Sequence, residues 1–210
     1  MAALFSRLLN DLMPGLPGIS ANIVLHEVRR AAQDFLTQTR AWQETLDTFI
    51  APAGESQIEL IPDSNGAEIV RIESAWSGSK QLLSVPLKRL DNFIADWNSQ
   101  SGDPEWVTQL TPTVIRLFPT PNQDVTLRFR VSLRPSDTAT ALPSELMAQY
   151  TPALIAGAKG RLLMMGKKPW SNPPLGALFV AQFEKLVADT HYQSALSFGQ
   201  GRVRARPSFC

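Results

Sequence analysis

The chain has few of the residues that enzymes use for metal binding and nucleophilic catalysis. Its 210 residues include one cysteine, Cys210, and two histidines, His26 and His191. A single cysteine excludes a disulfide framework, and no CxxC or Cys/His spacing typical of a metal site is present. We interpret both histidines as ordinary helix residues, and Cys210 as a reduced, intracellular thiol.

Common nucleotide-binding and hydrolase motifs are also missing. The segment GAKGRL at 157–162 is superficially similar to a phosphate-binding loop, but it lies in a predicted helix and lacks GK[ST]. Two distant histidines provide no convincing base for a hydrolytic triad. Glu59, Asp63 and Glu68 could approach one another across a predicted hairpin, although acidic residues beside turns are usually solvated. We therefore expect no catalytic residue, no metal site, no cofactor and no enzymatic activity.

Long hydrophobic runs are absent as well. No segment approaches the ~20 apolar residues needed to cross a bilayer. The first residues, MAALFSRLLNDLMPGLPG, carry Arg7 and Asp11 inside their apolar run, which predicts an amphipathic segment and not a secretory signal. We expect a soluble protein with no membrane partner.

Charge is nearly balanced but unevenly distributed. The formal net charge is +1, yet residues 143–210 contain eight Lys and Arg against three Asp and Glu, whereas residues 1–142 contain 12 against 16. Such polarity suits a protein that presents different faces to different partners. A solvated basic face is the simpler alternative.

Helical periodicity is clear near both ends of the chain. After PGLPG, Ser20 is a candidate N-cap for a helix reaching about Thr45, with an apolar stripe from Val24 to Leu46. PLKRLDNFIADW at 86–97 predicts a shorter helix. From 143 to 165 the pattern is helical again, with a kink or break at Pro152. Asn172 can cap a last helix reaching about Ala195, whose predicted stripe contains Leu175, Leu178, Phe179, Phe183, Leu186 and Val187.

The middle of the chain favours strands. ESQIELIP and AEIVRIESAW flank the turn Asp63-Ser64-Asn65-Gly66 and predict a hairpin, and EWVTQLTPTVIRLFP predicts a strand interrupted by Pro112. In DVTLRFRVSLRP at 124–135, apolar residues alternate with polar ones, which places Arg128, Arg130 and Arg134 on one face. That face is either exposed to solvent without a further role, or it contacts a neighbouring subunit or passing nucleic acid.

Small and basic residues of the C-terminal third have two interpretations. Gly157 and Gly160 within one helix indicate that another backbone packs closely there, either from the same chain or from a second subunit. Lys159, Arg161, Lys167 and Lys168, with the RVRAR segment of the tail, could neutralise phosphates. The near-neutral net charge and the lack of a stacking-aromatic motif argue against sequence-specific DNA binding.

The predicted fold class is α+β: a helical bundle, made of a long N-terminal helix and a C-terminal helical hairpin, with an antiparallel β-rich insertion and an extended C-terminal tail. We expect one domain over residues 1–198, helical at 19–48 and 143–196 and β-rich at 55–135. Residues 199–210, GQGRVRARPSFC, form a basic tail with no acidic residue after Asp189. A frayed terminus is the simpler explanation of this tail.

Three stretches in this order resemble the head–tail connector (adaptor) proteins of tailed bacteriophages. They are EVRRAAQDFLTQTRAWQETLD entered from PGLPG, DVTLRFRVSLRPSDTATALPSEL, and GAKGRLLMMGKKPWSNPPLGALFVAQFEKLVADT. Together they span about residues 14–196. None is a catalytic signature, so the resemblance rests on their order and on the short arginine tail.

The resemblance implies a structural virion protein that forms a ring, expected to be a dodecamer, at the neck between capsid and tail. One face would dock under the portal protein and the other would receive the next tail component, leaving a channel for the DNA during genome ejection. Such a protein is made in the host cytoplasm. A tail terminator or stopper ring and a small DNA-binding packaging protein are the alternatives.

The resemblance also assigns sites. By position, the tail residues Arg202, Val203, Arg204, Arg206 and Phe209 would bind the portal. The candidate subunit or channel contacts are Arg128, Arg130, Arg134, Gly157, Gly160, Lys167 and Lys168.

Overall fold

The computed structural model describes residues 2–93 and 96–195. Its five α-helices within that range are α1 (Leu9–Leu12), α2 (Ala21–Thr39), α3 (Leu87–Phe93), α4 (Ser144–Leu163) and α5 (Pro173–Ala195). Its twelve strands there are β1 (Ala2–Leu4), β2 (Gln43–Thr45), β3 (Phe49–Ala51), β4 (Gln57–Glu59), β5 (Ala67–Ser77), β6 (Lys80–Ser84), β7 (Ser101–Gly102), β8 (Trp106–Gln109), β9 (Val114–Phe118), β10 (Thr120–Pro121), β11 (Val125–Pro135) and β12 (Ala141–Pro143).

The chain divides into two compact units. One contains the described residues up to Ala41 and those from Thr140 onward, and the other contains 42–139. We call them the terminal unit and the β unit. The prediction of one domain over 1–198 stays a prediction.

In the terminal unit, α2, α4 and α5 pack against one another. The stripe predicted on α2 is buried: Val24, Val28, Ala31 and Phe35 are all 0 % exposed. The N-terminal segment joins this core, because β1 pairs antiparallel with β12 and the side chains of Phe5, Leu8 and Leu12 are buried. Pro152 lies inside α4, which runs without a break from Ser144 to Leu163.

The β unit contains one eight-stranded sheet in the order β2-β11-β5-β6-β8-β9-β4, with β3 pairing a second part of β11. The strand pairs of this sheet are antiparallel except β6 with β8, which is parallel, so the sheet is mixed. The alternation predicted for 124–135 is confirmed as β11, whose inward residues Leu127, Phe129, Val131 and Leu133 are 0 % exposed. A short parallel pair, β7 with β10, lies apart from it.

The predicted fold class is wrong. The described chain is β-rich, with twelve strands and a mixed sheet, and it is not a helical bundle with a long N-terminal helix carrying an antiparallel insertion. α2 ends at Thr39, where Arg40 turns left-handed at φ 53° and donates its N–H to the Leu36 oxygen at 2.9 Å. The chain then enters β2, although Trp42 and Leu46 continue the spacing of the helical stripe.

The strand pairing also differs from the sequence expectation. β4 and β5 do not form the predicted hairpin: β4 pairs with β9, whereas β5 pairs with β11 and β6. The strand expected around Pro112 is two strands, β8 and β9, that pair antiparallel. β4 has only three residues, too few for a period of two to be recognised, and its partner β9 is distant in sequence, so local patterns carry little information about this pairing.

Candidate interaction surfaces

The outer face of the β unit's sheet exposes two arginines stacked on a tryptophan. Arg128 on β11 lies directly opposite Trp76 on β5, and Arg130 lies opposite Ser74. The guanidinium carbons of Arg128 and Arg130 are 4.7 Å and 5.9 Å from the Trp76 ring centroid. Such cation–π contacts contribute about 0.5–1 kcal/mol each at exposed sites and hold the arginine side chains over the ring.

Two large apolar side chains are exposed on the same face. Ile50 is opposite Thr126, two residues from Arg128, and is 67 % exposed. Leu83 is two residues from Gln81, the partner of Trp76, and is 62 % exposed. We call the surface formed by Ile50, Trp76, Leu83, Arg128 and Arg130 the arginine face.

Arg134 has a different environment from the other two arginines of β11. The pairing of β11 with β5 changes register after Arg130 and again after Ser132. Ser132 is 0 % exposed, so the solvent-exposed face that contains Arg128 and Arg130 does not continue to Arg134. Arg134 donates from Nε and Nη2 to Glu68 Oε2, both at 3.2 Å. The three arginines therefore do not act as one cationic row.

A second surface of the β unit is acidic. A cavity of about 200 Å³ is lined by Leu46, Asp47, Phe49, Glu59, Leu60, Ile61 and Asp63. Its walls come from β3 and the residues between β2 and β3, and from the end of β4 and the residues after it. Because β2 and β4 are the two ends of the strand order, the sheet curls until its edges bound one space. We call it the acidic cavity.

Carboxylates bridge the two sheet edges at this cavity. Asp47 donates its backbone N–H to Asp63 Oδ2 at 3.2 Å, and Asp63 donates its own to Glu44 Oε1 at 3.1 Å. The Ser64 hydroxyl donates to Glu44 Oε2 at 2.5 Å. Of the three carboxylates considered above, Glu59 and Asp63 line the same cavity, whereas Glu68 is bound to Arg134. Local sequence patterns do not predict the cavity, because its walls are not adjacent in sequence.

Glycines of the terminal unit mark close contacts within the chain. A Cβ on Gly157 would lie 2.9 Å from the Ala31 Cβ and from ring carbons of Phe183, and one on Gly160 would lie 2.9 Å from Val180 Cγ2. Packing of α4 against α2 and α5 thus accounts for both glycines. A role for them in a subunit contact stays a prediction.

Arg161, proposed above as a phosphate ligand, is bound inside the terminal unit. It pairs with Asp34, and its Nη1 lies 3.9 Å from Oε2 of Glu27, a residue that is 5 % exposed. Burial, and secondarily the charge of Arg30, lowers the pKa of Arg161, while Glu27 raises it. Lys159 lies with Nζ 5.5 Å from the Phe179 ring centroid.

The remaining basic candidates lie near or beyond α5. Lys167 and Lys168 are exposed in the turn between α4 and α5, and Lys167 has φ 58°. The predicted cap is confirmed: Asn172 Oδ1 accepts the Leu175 N–H at 3.3 Å. Arg202, Val203, Arg204, Arg206 and Phe209 lie outside the described residues, so their portal-binding role stays a prediction.

Neither histidine is placed in a cluster of possible metal ligands. His26 Nδ1 is 3.2 Å from Glu27 Oε1, and His191 Nδ1 is 2.9 Å from the Gln38 oxygen. Over 2–93 and 96–195, no group of three or more His, Cys, Asp or Glu residues is arranged to hold a metal ion. No helix in these same ranges is long and apolar enough to cross a bilayer.

Comparison with known proteins identifies the family. No curated protein matches the sequence. A family model described as SU10 adaptor protein matches residues 1–206, which is nearly the whole chain. The resemblance to phage adaptors seen in the sequence is thereby confirmed: the chain belongs to the SU10 adaptor protein family of bacteriophages.

Proposed function

We propose that this phage adaptor is a structural, non-enzymatic virion protein that forms a ring under the portal and joins the capsid to the tail. The observation that carries the proposal is the family match over residues 1–206. In this role the protein occupies the virion neck, and its ring leaves a channel through which DNA passes during ejection. We expect twelve copies, one ring face on the portal and the other on the next tail component.

Two distinct charged surfaces on one chain suit such a ring. Closed rings are built from heterologous contacts, in which each subunit offers two different patches. The arginine face and the acidic cavity are two patches of opposite charge within one compact unit. They support ring assembly without requiring a catalytic role for any residue.

The basic tail is the proposed portal ligand. In an extended conformation, Arg202, Arg204 and Arg206 lie on one side and Val203 on the other, because successive side chains of a strand alternate. Charge-assisted bonds to acidic portal groups would hold the segment on the portal. Phe209 would serve as an apolar anchor.

Electron microscopy of the purified protein, with and without purified portal, tests the proposal. The expected result is a twelve-fold ring docked on the portal. Rings that cap only tail tubes would replace the proposal with a terminator or stopper role. Salt-sensitive DNA binding by a monomer, with no ring on the portal, would replace it with a packaging accessory role.

A further inference from the structure

The arginine face carries charge that the β unit itself does not neutralise. Within the described residues, no carboxylate lies within ion-pair distance of the Arg128 or Arg130 guanidinium. Both side chains are nevertheless held over Trp76. Both arginines are exposed, and planar guanidinium groups bind carboxylates through paired hydrogen bonds, so these two side chains can bind acidic groups of another chain.

The acidic cavity carries negative charge that has no partner in the described part of the β unit. The side-chain carboxylates of Asp47 and Glu59 have no hydrogen-bond or ion-pair partner in the described part of the chain. The same cavity is lined by Ile61, which is 73 % exposed, and by the buried Leu60. A cavity with a carboxylate rim and an apolar side fits a surface in which arginines are flanked by apolar residues.

We propose that the arginine face of one copy binds the acidic cavity of the next copy in the ring. Arg128 and Arg130 would pair with Asp47 and Glu59, while Ile50 or Leu83 would cover Ile61. This inference rests on the proposed ring and names the contact that closes it. Both surfaces belong to the β unit, so one compact unit carries both halves of the contact.

A second copy fits the arginine face better than DNA does. Phosphate contacts use cations and hydrogen-bond donors, and they give no role to Ile50 and Leu83, which are 67 % and 62 % exposed. Tryptophan and arginine are enriched among protein-interface hot spots, and here they share one face with exposed apolar side chains. Guanidinium groups stacked on Trp76 are also already oriented, which lowers the entropic cost of protein docking.

Charge reversal in two separate variants tests the pairing. R128E/R130E makes the arginine face acidic, and D47K/E59K makes the cavity basic. Each variant alone places like charges together at every contact, so ring formation on the portal, measured by electron microscopy and sedimentation, should fall at least tenfold. An equal mixture should restore it, because alternating copies of the two variants bring opposite charges together at each contact. K88E/R89E, which reverses two exposed cations on α3, should assemble like the wild type.

The outcomes separate this contact from the proposed function. Wild-type rings on the portal together with equally good R128E/R130E rings would overturn the contact and leave the function standing. A mixture that assembles no better than either variant alone would also overturn the contact. So would an R128E/R130E variant that assembles normally but loses DNA binding. Absence of wild-type rings on the portal would overturn the function itself. If a reversal prevents folding, judged by circular dichroism, R128Q/R130Q and D47N/E59N replace it, and each must weaken assembly at least tenfold.

Discussion

The guanidinium of Arg128 lies 4.7 Å from the centroid of the Trp76 ring, its direct cross-strand neighbour. An exposed arginine loses much side-chain entropy when it binds a partner. Stacking on Trp76 restricts Arg128 before a partner arrives, so less entropy is lost at docking. The tryptophan is therefore expected to matter more for assembly than for folding.

Replacement of Trp76 by alanine separates these two effects. We expect W76A to lower the free energy of unfolding by only about 1–2 kcal/mol, because the ring is half-buried and its cation–π contacts are exposed. Ring assembly should fall more than tenfold, because both arginines lose their support. Urea denaturation and sedimentation measure the two quantities. Q81A, on the same face, is the control, and normal assembly of W76A would contradict the prediction.

Gly157 should not tolerate even one added methyl group. In G157A the new Cβ would lie 2.9 Å from the Ala31 Cβ and from the Phe183 ring. Overpacking costs about 1–3 kcal/mol, whereas alanine gains about 1 kcal/mol in helix propensity. We expect the free energy of unfolding, measured by heat or urea, to fall by up to about 2 kcal/mol.

Gly166 provides the matched control for that change. A Cβ there meets nothing within 4 Å, so G166A should unfold like the wild type. If G157A were more stable than the wild type, α4 would not pack as closely on α2 and α5 as the structure has it.

Arg161 should be the most sensitive charged residue of the terminal unit. R161M removes the partner of Asp34 and leaves the buried Glu27 carboxylate with only His26 and Arg30 beside it, two side chains that are more than half exposed. Breaking a buried ion pair costs about 3–5 kcal/mol, and because Arg161 and Asp34 are partly exposed we expect about 2 kcal/mol from urea denaturation.

Two further variants control the Arg161 experiment. R30M should lose less than about 1 kcal/mol, because exposed ion pairs contribute little. E27Q/R161M should recover part of the loss, since no buried charge is then left without a partner. Equal losses in R30M and R161M would show that burial does not set the strength of this cluster.

Deletion of residues 201–210 should leave folding unchanged and abolish stable portal docking. The segment GRVRARPSFC has three arginines and few apolar residues, so it offers little apolar surface to bury, and thermal unfolding should match that of the full chain. Co-sedimentation with portal measures docking. Replacing Arg202, Arg204 and Arg206 by lysine tests charge alone. A truncated chain that joins the portal as well as the full chain would exclude the tail as the portal ligand.

Local sequence patterns predicted the long elements better than their limits or partners. β11 was predictable because eleven residues sample the period of two several times. On α5 the sequence predicts one stripe, yet Phe183 is 9 % exposed and Leu178 is 68 % exposed, because periodicity does not tell which side meets another helix. The end of α2 was missed because Arg40 has no glycine-like signal for its left-handed turn.

By itself, the sequence determined the family, the buried stripe of α2 and the alternation that exposes Arg128 and Arg130, because each depends on residues close together in the chain or on their order. Only the tertiary structure decided that the sheet is mixed and that Asp47 and Glu59 share one cavity. It also decided that Arg161 binds Asp34 while Arg128 and Arg130 stay available. These arginines differ in burial and in partners because the residues around each of them come from segments distant in sequence. No local periodicity in the sequence encodes how such segments pack.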